Sequence, residues 1–96
     1  MYYLVSPQCP CYCGGEGFLT LVTCPHCRTV MGRCDEVNEL IRDLHAPQFV
    51  SEQSVCYPDQ LCPQCGRARY GDFKPATEAE IQAFGFSTRQ YRLLPV

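Results

Sequence analysis

The chain carries one four-residue frame twice: Cys24-Pro25-His26-Cys27 and Cys62-Pro63-Gln64-Cys65. Two C-x-x-C turns supply two sulfurs each, which is what a closed tetrahedral thiolate site requires. Proline presets the first turn position, and glycine after the second cysteine accepts a left-handed backbone. Gly66 stands at that place in the second turn, whereas Arg28 stands there in the first. Five more cysteines bring the total to nine: Cys9, Cys11 and Cys13 in a cluster, and Cys34 and Cys56 singly.

At 96 residues the chain is read as a single domain over 1–96, and its 46% apolar content includes those cysteines. A core this modest calls for a staple of sulfur or metal. The start, Met1-Tyr2-Tyr3-Leu4-Val5-Ser6-Pro7, has neither the basic region nor the apolar run of a signal peptide. No stretch approaches the roughly 20 apolar residues of a membrane span. The expected location is therefore cytoplasmic, a reducing setting in which structural disulfides are rare. An odd number of cysteines also spoils a fully paired framework. Zn2+, one or two ions per chain, is the expected cofactor.

Cys24, Cys27, Cys62 and Cys65 form the first expected ligand set. Zinc in such peptides contributes on the order of 10–16 kcal/mol at neutral pH, as much as a small domain's whole net stability. A second set is expected from Cys34 with two or three of Cys9, Cys11 and Cys13, with Cys56 completing it if needed. His26 reads as an exposed spacer within its turn, and His45 as a residue placed by a helix dipole.

Phe18-Leu19-Thr20-Leu21-Val22-Thr23 favours a strand entering the first turn, and residues 28–34 a strand leaving it. Residues 54–57 and 67–73 repeat that plan around the second turn. Residues 1–17 read as an irregular lead-in ending in Gly14-Gly15-Glu16-Gly17. Val37, Leu40, Ile41 and Leu44 recur at helical spacing, so a short helix over 35–45 is expected, capped by Asp35. The alternative is an extended continuation of the second strand. A loop is expected over 46–54.

Thr77-Glu78-Ala79-Glu80 and Ser87-Thr88-Arg89-Gln90 both have capping-box form, which predicts two short helices around Gly85-Phe86. That stretch is similar to the first helix, Gly-Phe loop and second helix of ubiquitin-associated domains; the plainer reading is a helical clasp. The expected fold is thus a small, metal-dominated α+β domain. Residues 1–74 form a cysteine-rich β core, with a helix or insertion at 35–54, and 75–96 a helical pair.

Strand, C-P-x-C, strand, used twice, resembles the paired knuckles of a zinc ribbon. The run Cys11-Tyr12-Cys13-Gly14-Gly15-Glu16-Gly17 followed by Cys24-Pro25-His26-Cys27 also resembles half a zinc centre of J-protein chaperones. That likeness implies a rival partition, in which the N-terminal sulfurs share a metal with Cys24 and Cys27.

A formal charge of −2 becomes about −6 if two all-cysteine zinc sites are filled. This balance disfavours nucleic acid, although Arg67, Arg69 and Lys74 offer a thin basic patch against Asp72. No Ser–His–Asp set, carboxylate pair or phosphate-cradling loop argues for a small-molecule substrate. Cys24-Pro25-His26-Cys27 resembles the active site of DsbA-type thiol oxidases, which implies a long helix from about Val30 to Leu44 and thiol–disulfide exchange. The spacing to Pro47 and the mid-helix Gly32 weigh against it. The function expected is a structural zinc protein that binds another macromolecule, a protein in preference to nucleic acid, with Tyr2, Tyr3, Phe86 and Tyr91 as contact or core-covering aromatics.

Overall fold

Leu19–Thr23, strand β2, is the axis of the fold, and all five of its residues are buried. A computed structural model describes residues 1–5, 18–35, 39–41, 44, 54–55, 59, 61–62 and 64–94, with backbone alone at Cys34, 39–41 and 54–55. Among them, β2 joins β1 (Tyr2–Leu4), β3 (Val30–Cys34), β4 (Glu39–Ile41), β5 (Ser54–Val55), β6 (Lys74–Pro75) and β7 (Tyr91–Leu93) in one antiparallel sheet. The order is β5-β4-β3-β2-β1-β7. β6 shares an edge of β2 with β1: Leu19 and Thr20 pair with β1, while Val22 and Thr23 pair with Pro75 and Lys74. One short helix, α1 (Glu78–Ala83), completes the architecture, with a 3-10 turn at Tyr70–Asp72.

Because side chains alternate along a strand, β2 serves two clusters. Leu19 and Leu21 pack with Leu4, Val30, Leu44, Ala76, Ile81, Phe86 and Tyr91. Val22 packs on the opposite side with Met31, Cys24, Cys62, Ala68 and Tyr70. Helix α1 covers the first side by inserting Ile81, and the cysteine turns cover the second. The sheet is therefore a partition between an aliphatic cluster and a sulfur-bearing one. Each cluster is small, and each depends on a cover supplied from distant sequence.

The capping box of α1 forms as expected: Thr77 accepts from the Glu80 N–H at 3.2 Å, and the Thr77 N–H donates to Glu80 Oε1 at 2.9 Å. Past Phe84 the chain turns at Gly85, φ 113°, and the Phe86 N–H returns to the Ile81 carbonyl. A turn of this hand suits glycine, which has no Cβ to clash.

Three expectations are corrected. The second C-terminal helix is absent: Ser87 and Gln90 do make their local bond, at 2.9 Å, yet Tyr91–Leu93 leave as a strand paired with β1. Burial of Tyr91 opposite Leu4 outweighs the local helical signal. The likeness to ubiquitin-associated domains fails at the same place, and the sheet joins the 1–74 and 75–96 segments. The helix over 35–45 gives way to β4, paired with β3 through Gly32↔Ile41 and Arg33↔Leu40. Asp35 closes the β2–β3 hairpin instead of capping a helix, accepting from the Phe18 N–H at 2.6 Å. Finally, the lead-in begins with β1, so Tyr2–Leu4 are part of the sheet.

Of the four aromatics, Phe86 and Tyr91 are core residues. Tyr2 packs against that core edge-on to Tyr91, and Tyr3 meets Phe18 with ring centroids 4.7 Å apart. Among the described residues, no helix is long and apolar enough to cross a membrane.

Candidate metal centre

The first cysteine turn links β2 to β3. Its backbone closes with the Cys24 N–H donating to the Thr29 carbonyl and the Arg28 N–H donating to the Cys24 carbonyl, at 3.1 and 3.0 Å. The second turn has the matching pattern: the Cys62 N–H reaches the Ala68 carbonyl and the Gly66 N–H the Cys62 carbonyl, both at 2.8 Å. A single antiparallel bridge, Leu61↔Arg69, flanks this second turn. The strands expected around it differ: β5 pairs with β4 at the far side of the sheet, and Tyr70–Asp72 form the 3-10 turn. One cysteine turn is a true strand hairpin, the other a compact loop laid over it.

The two turns bring four sulfurs together. All lie within 4.8 Å of one another. Cys24 Sγ is 3.7 Å from Cys65 Sγ, and Cys27 Sγ is 3.8 Å from Cys62 Sγ. A tetrahedron with metal–sulfur bonds of ~2.3 Å has edges of ~3.8 Å, so the quartet has the size such an ion demands. A disulfide, at ~2.05 Å, is far shorter. Backbone N–H groups support the sulfurs: Cys27 N lies 3.5 Å from Cys24 Sγ, and Gln64 N 3.4 Å from Cys62 Sγ. Four cysteines thus form a cluster suited to a metal ion.

The sulfurs are electrostatically unequal. Burial pushes the Cys62 thiol up to about 12, since a thiolate there loses its hydration. The Arg67 N–H outweighs burial at Cys65 and, with help from the Ala68 N–H, brings that thiol down to about 6. Burial raises Cys27 too, but the hydroxyl and N–H of Thr29 overcome it and leave the thiol below its usual value. Thr29, with Oγ1 at 3.3 Å from Cys27 Sγ, is a supporting residue that the spacing argument did not find. Its position two residues past the second cysteine was the available signal.

The expected site residues are therefore divided. Cys24, Cys27, Cys62 and Cys65 converge. Cys9, Cys11, Cys13 and Cys56 lie outside the described residues, as do His45 and the side chain of Cys34, whose backbone ends β3 opposite Leu19. Among the described residues Cys24 and Cys27 share their cluster with Cys62 and Cys65, and the N-terminal sulfurs of the rival partition lie outside the described residues. His26 is exposed, as expected of a spacer. The thiol-oxidase arrangement loses its helix: Val30–Cys34, which should begin it, are strand β3. Arg67, Arg69 and Lys74 are exposed.

Beside the first turn, Arg28 takes φ 63°. A non-glycine residue pays roughly 1–2 kcal/mol for that conformation. Its guanidinium lies 3.3 Å from Glu80 Oε2, with the Arg28 side chain 76% and the Glu80 side chain 24% exposed. A pair so open to solvent returns about 0–1 kcal/mol.

The chain matches no known family profile, no curated protein and no solved structure.

Proposed function

We propose that Cys24, Cys27, Cys62 and Cys65 bind one zinc ion as a closed structural centre of zinc-ribbon type, and that the protein acts by binding another protein. The tetrahedral spacing of four thiols carries the first part. Thiolate is a soft ligand, and a tetrahedral set of four sulfurs suits zinc or iron–sulfur chemistry; a single-ion site between two C-P-x-C turns favours zinc. Four protein ligands leave no open position for a substrate or activated water. The ion then works as a bolt, holding the second cysteine turn and residues 64–73 onto β2 and β3.

Protein binding is supported by apolar surface that the two small cores leave uncovered. Leu61, directly before Cys62, is 54% exposed, and Phe18 and Leu93 also present apolar surface to solvent. A second zinc on Cys34 with Cys9, Cys11 and Cys13 belongs to the same proposal, as does a reducing, cytoplasmic setting that keeps the sulfurs as thiolates.

Metal analysis of protein purified under reducing conditions tests the centre. One zinc per chain, lost on Cys62→Ser, supports the quartet alone. Two, with one surviving that substitution, supports both sites. A metal-free folded protein that exchanges disulfides would overturn the reading in favour of a thiol oxidoreductase using Cys24 and Cys27. Tight, steeply salt-dependent RNA or DNA binding that is lost on charge reversal at Arg67 and Arg69 would overturn the protein-partner reading.

A further inference from the structure

Between the first cysteine turn and the segment joining β6 to α1 lies a cleft of about 510 Å³. Pro25 and Pro75 give it apolar walls, and Arg28, Lys74, Thr77 and Glu80 give it polar ones. We propose that this cleft receives one side-chain carboxylate, of an Asp or Glu of a protein partner, between the Arg28 guanidinium and the Lys74 ammonium. The proposal deepens the protein-binding reading and rests on it for the class of partner.

The carboxylate already in the cleft is committed elsewhere. Glu80 Oε1 accepts from the Thr77 N–H at 2.9 Å, the Thr77 hydroxyl at 3.2 Å and the Thr23 hydroxyl at 3.3 Å. Its other oxygen meets Arg28 Nη1 at 3.3 Å. A guanidinium has five N–H donors in a planar fork, so this single contact leaves an edge able to hold a second carboxylate. Lys74 pairs with β2 through its backbone, and its ammonium has no ion-pair or hydrogen-bond partner among the described residues.

Charge balance selects the ligand. Two cations and one anion leave a surplus of one positive charge, which one carboxylate neutralises. A phosphate dianion would leave excess negative charge beside a four-thiolate zinc centre that is itself anionic. The backbone adds an independent reason. Arg28 occupies the left-handed position that the second turn assigns to glycine, and the exposed Glu80 contact does not offset that strain. The turn imposes this conformation, so an arginine stands there in spite of its backbone cost. Pro25 and Pro75 stiffen the two sides, so little chain entropy is lost when the cleft fills.

The test is an amide-resolved NMR titration of zinc-loaded, full-length protein with acetyl-Gly-Glu-Gly-amide, its Gln counterpart and inorganic phosphate. The expected result is saturable movement of the Arg28, Lys74 and Thr77 signals with the Glu peptide alone. Affinity should fall about fivefold in Arg28→Gly and in Lys74→Ala, and rise in Glu80→Gln, where a competing charge is removed. Equal shifts with the Gln peptide, tighter binding of phosphate, or unchanged affinity in both cation variants would each overturn the assignment. Zinc content is measured on every sample. A metal-free wild type defeats the structural-zinc reading, whereas a zinc-loaded protein indifferent to the Glu peptide defeats only the cleft.

Discussion

Arg28 and Gly66 occupy the same place in two turns, with φ of 63° and 67°. In each, the residue's N–H donates to the carbonyl of the first cysteine, four positions back. The turn geometry is set by sulfur placement, and the side chain at this position has to accept it.

Substitution at the two places should therefore be unequal. A Cβ at Gly66 would meet nothing within 4 Å, so Gly66→Ala carries a backbone cost alone. We expect a loss of about 1–2 kcal/mol. Arg28→Gly relieves comparable strain but frees the unfolded chain and forfeits the weak Glu80 pair, so its net effect should fall within about 1 kcal/mol of zero. Denaturant unfolding of the zinc-loaded proteins measures both. A neutral Gly66→Ala would mean that the turn is not held in this conformation.

Zinc removal should be felt on one side of the sheet first. Cys24 and Cys62 belong to the cluster of Val22, Met31, Ala68 and Tyr70, whereas Ile81, Phe86 and Tyr91 lie in the other. A chelator should deprotect the amides of residues 64–73 in hydrogen exchange before those of β1 and β7. Zinc affinity should also rise with pH. Cys65, at about 6, is already a thiolate at neutral pH, but Cys62, near 12 without metal, loses its proton to solvent only as the ion binds. Uniform loss of protection, or a pH-independent affinity, would contradict this account.

The quartet was legible because C-P-x-C is a local frame that fixes the spacing of its two sulfurs within four residues. The sheet was far less so. Tyr2–Leu4 and Tyr91–Leu93 are three-residue strands whose pairing partners lie at opposite ends of the sequence. No periodicity can be read over three positions. Ser87 and Gln90 show the complementary failure: their bond forms as the motif predicts, but the chain beyond follows the tertiary demand to bury Tyr91. The helical spacing of Val37, Leu40, Ile41 and Leu44 misled because β3 offers an open edge beside it, and pairing there decided between the two alternatives. The links from Glu80 to Thr23 and Arg28 were hidden for another reason, since they exist only once the turn and helix meet.

Glu80 ties three elements together, bonding to Thr77 at the helix start, Thr23 in β2 and Arg28 in the first turn. The Thr77 N–H holds its carboxyl below the ordinary value against the opposing effect of burial, helped by the Thr77 and Thr23 hydroxyls and by Arg28. A depressed folded-state value means stability that is present above the unfolded value and lost as pH falls through the folded one. Glu80→Gln should cost about 1 kcal/mol at neutral pH. That gap should close on acidification through the carboxylate range, while zinc loss, common to both proteins, cancels in the difference. Paired unfolding curves across pH check the sign; a gap that widens in acid would be incompatible with these contacts.

Gly32 shows how closely the aliphatic cluster is fitted. It sits in β3 opposite Leu21 and beside Ile41, where strand pairing on both edges fixes the backbone. A Cβ there would stand 2.6 Å from Leu19 Cδ1 and 2.8 Å from Leu44 Cδ2, both on fully buried side chains. Neither leucine can yield without moving its neighbours, because interiors are packed nearly as tightly as organic crystals. Gly32→Ala should destabilise by about 1–3 kcal/mol through overpacking. Leu44→Ala alone should also destabilise, by about 2–5 kcal/mol, because it opens a cavity. The added methyl would partly fill that cavity, so the double variant should be more stable than the sum of the two losses implies. Thermal and denaturant unfolding of the four proteins measures the coupling. Strict additivity would show that the methyl and Leu44 do not compete for one space.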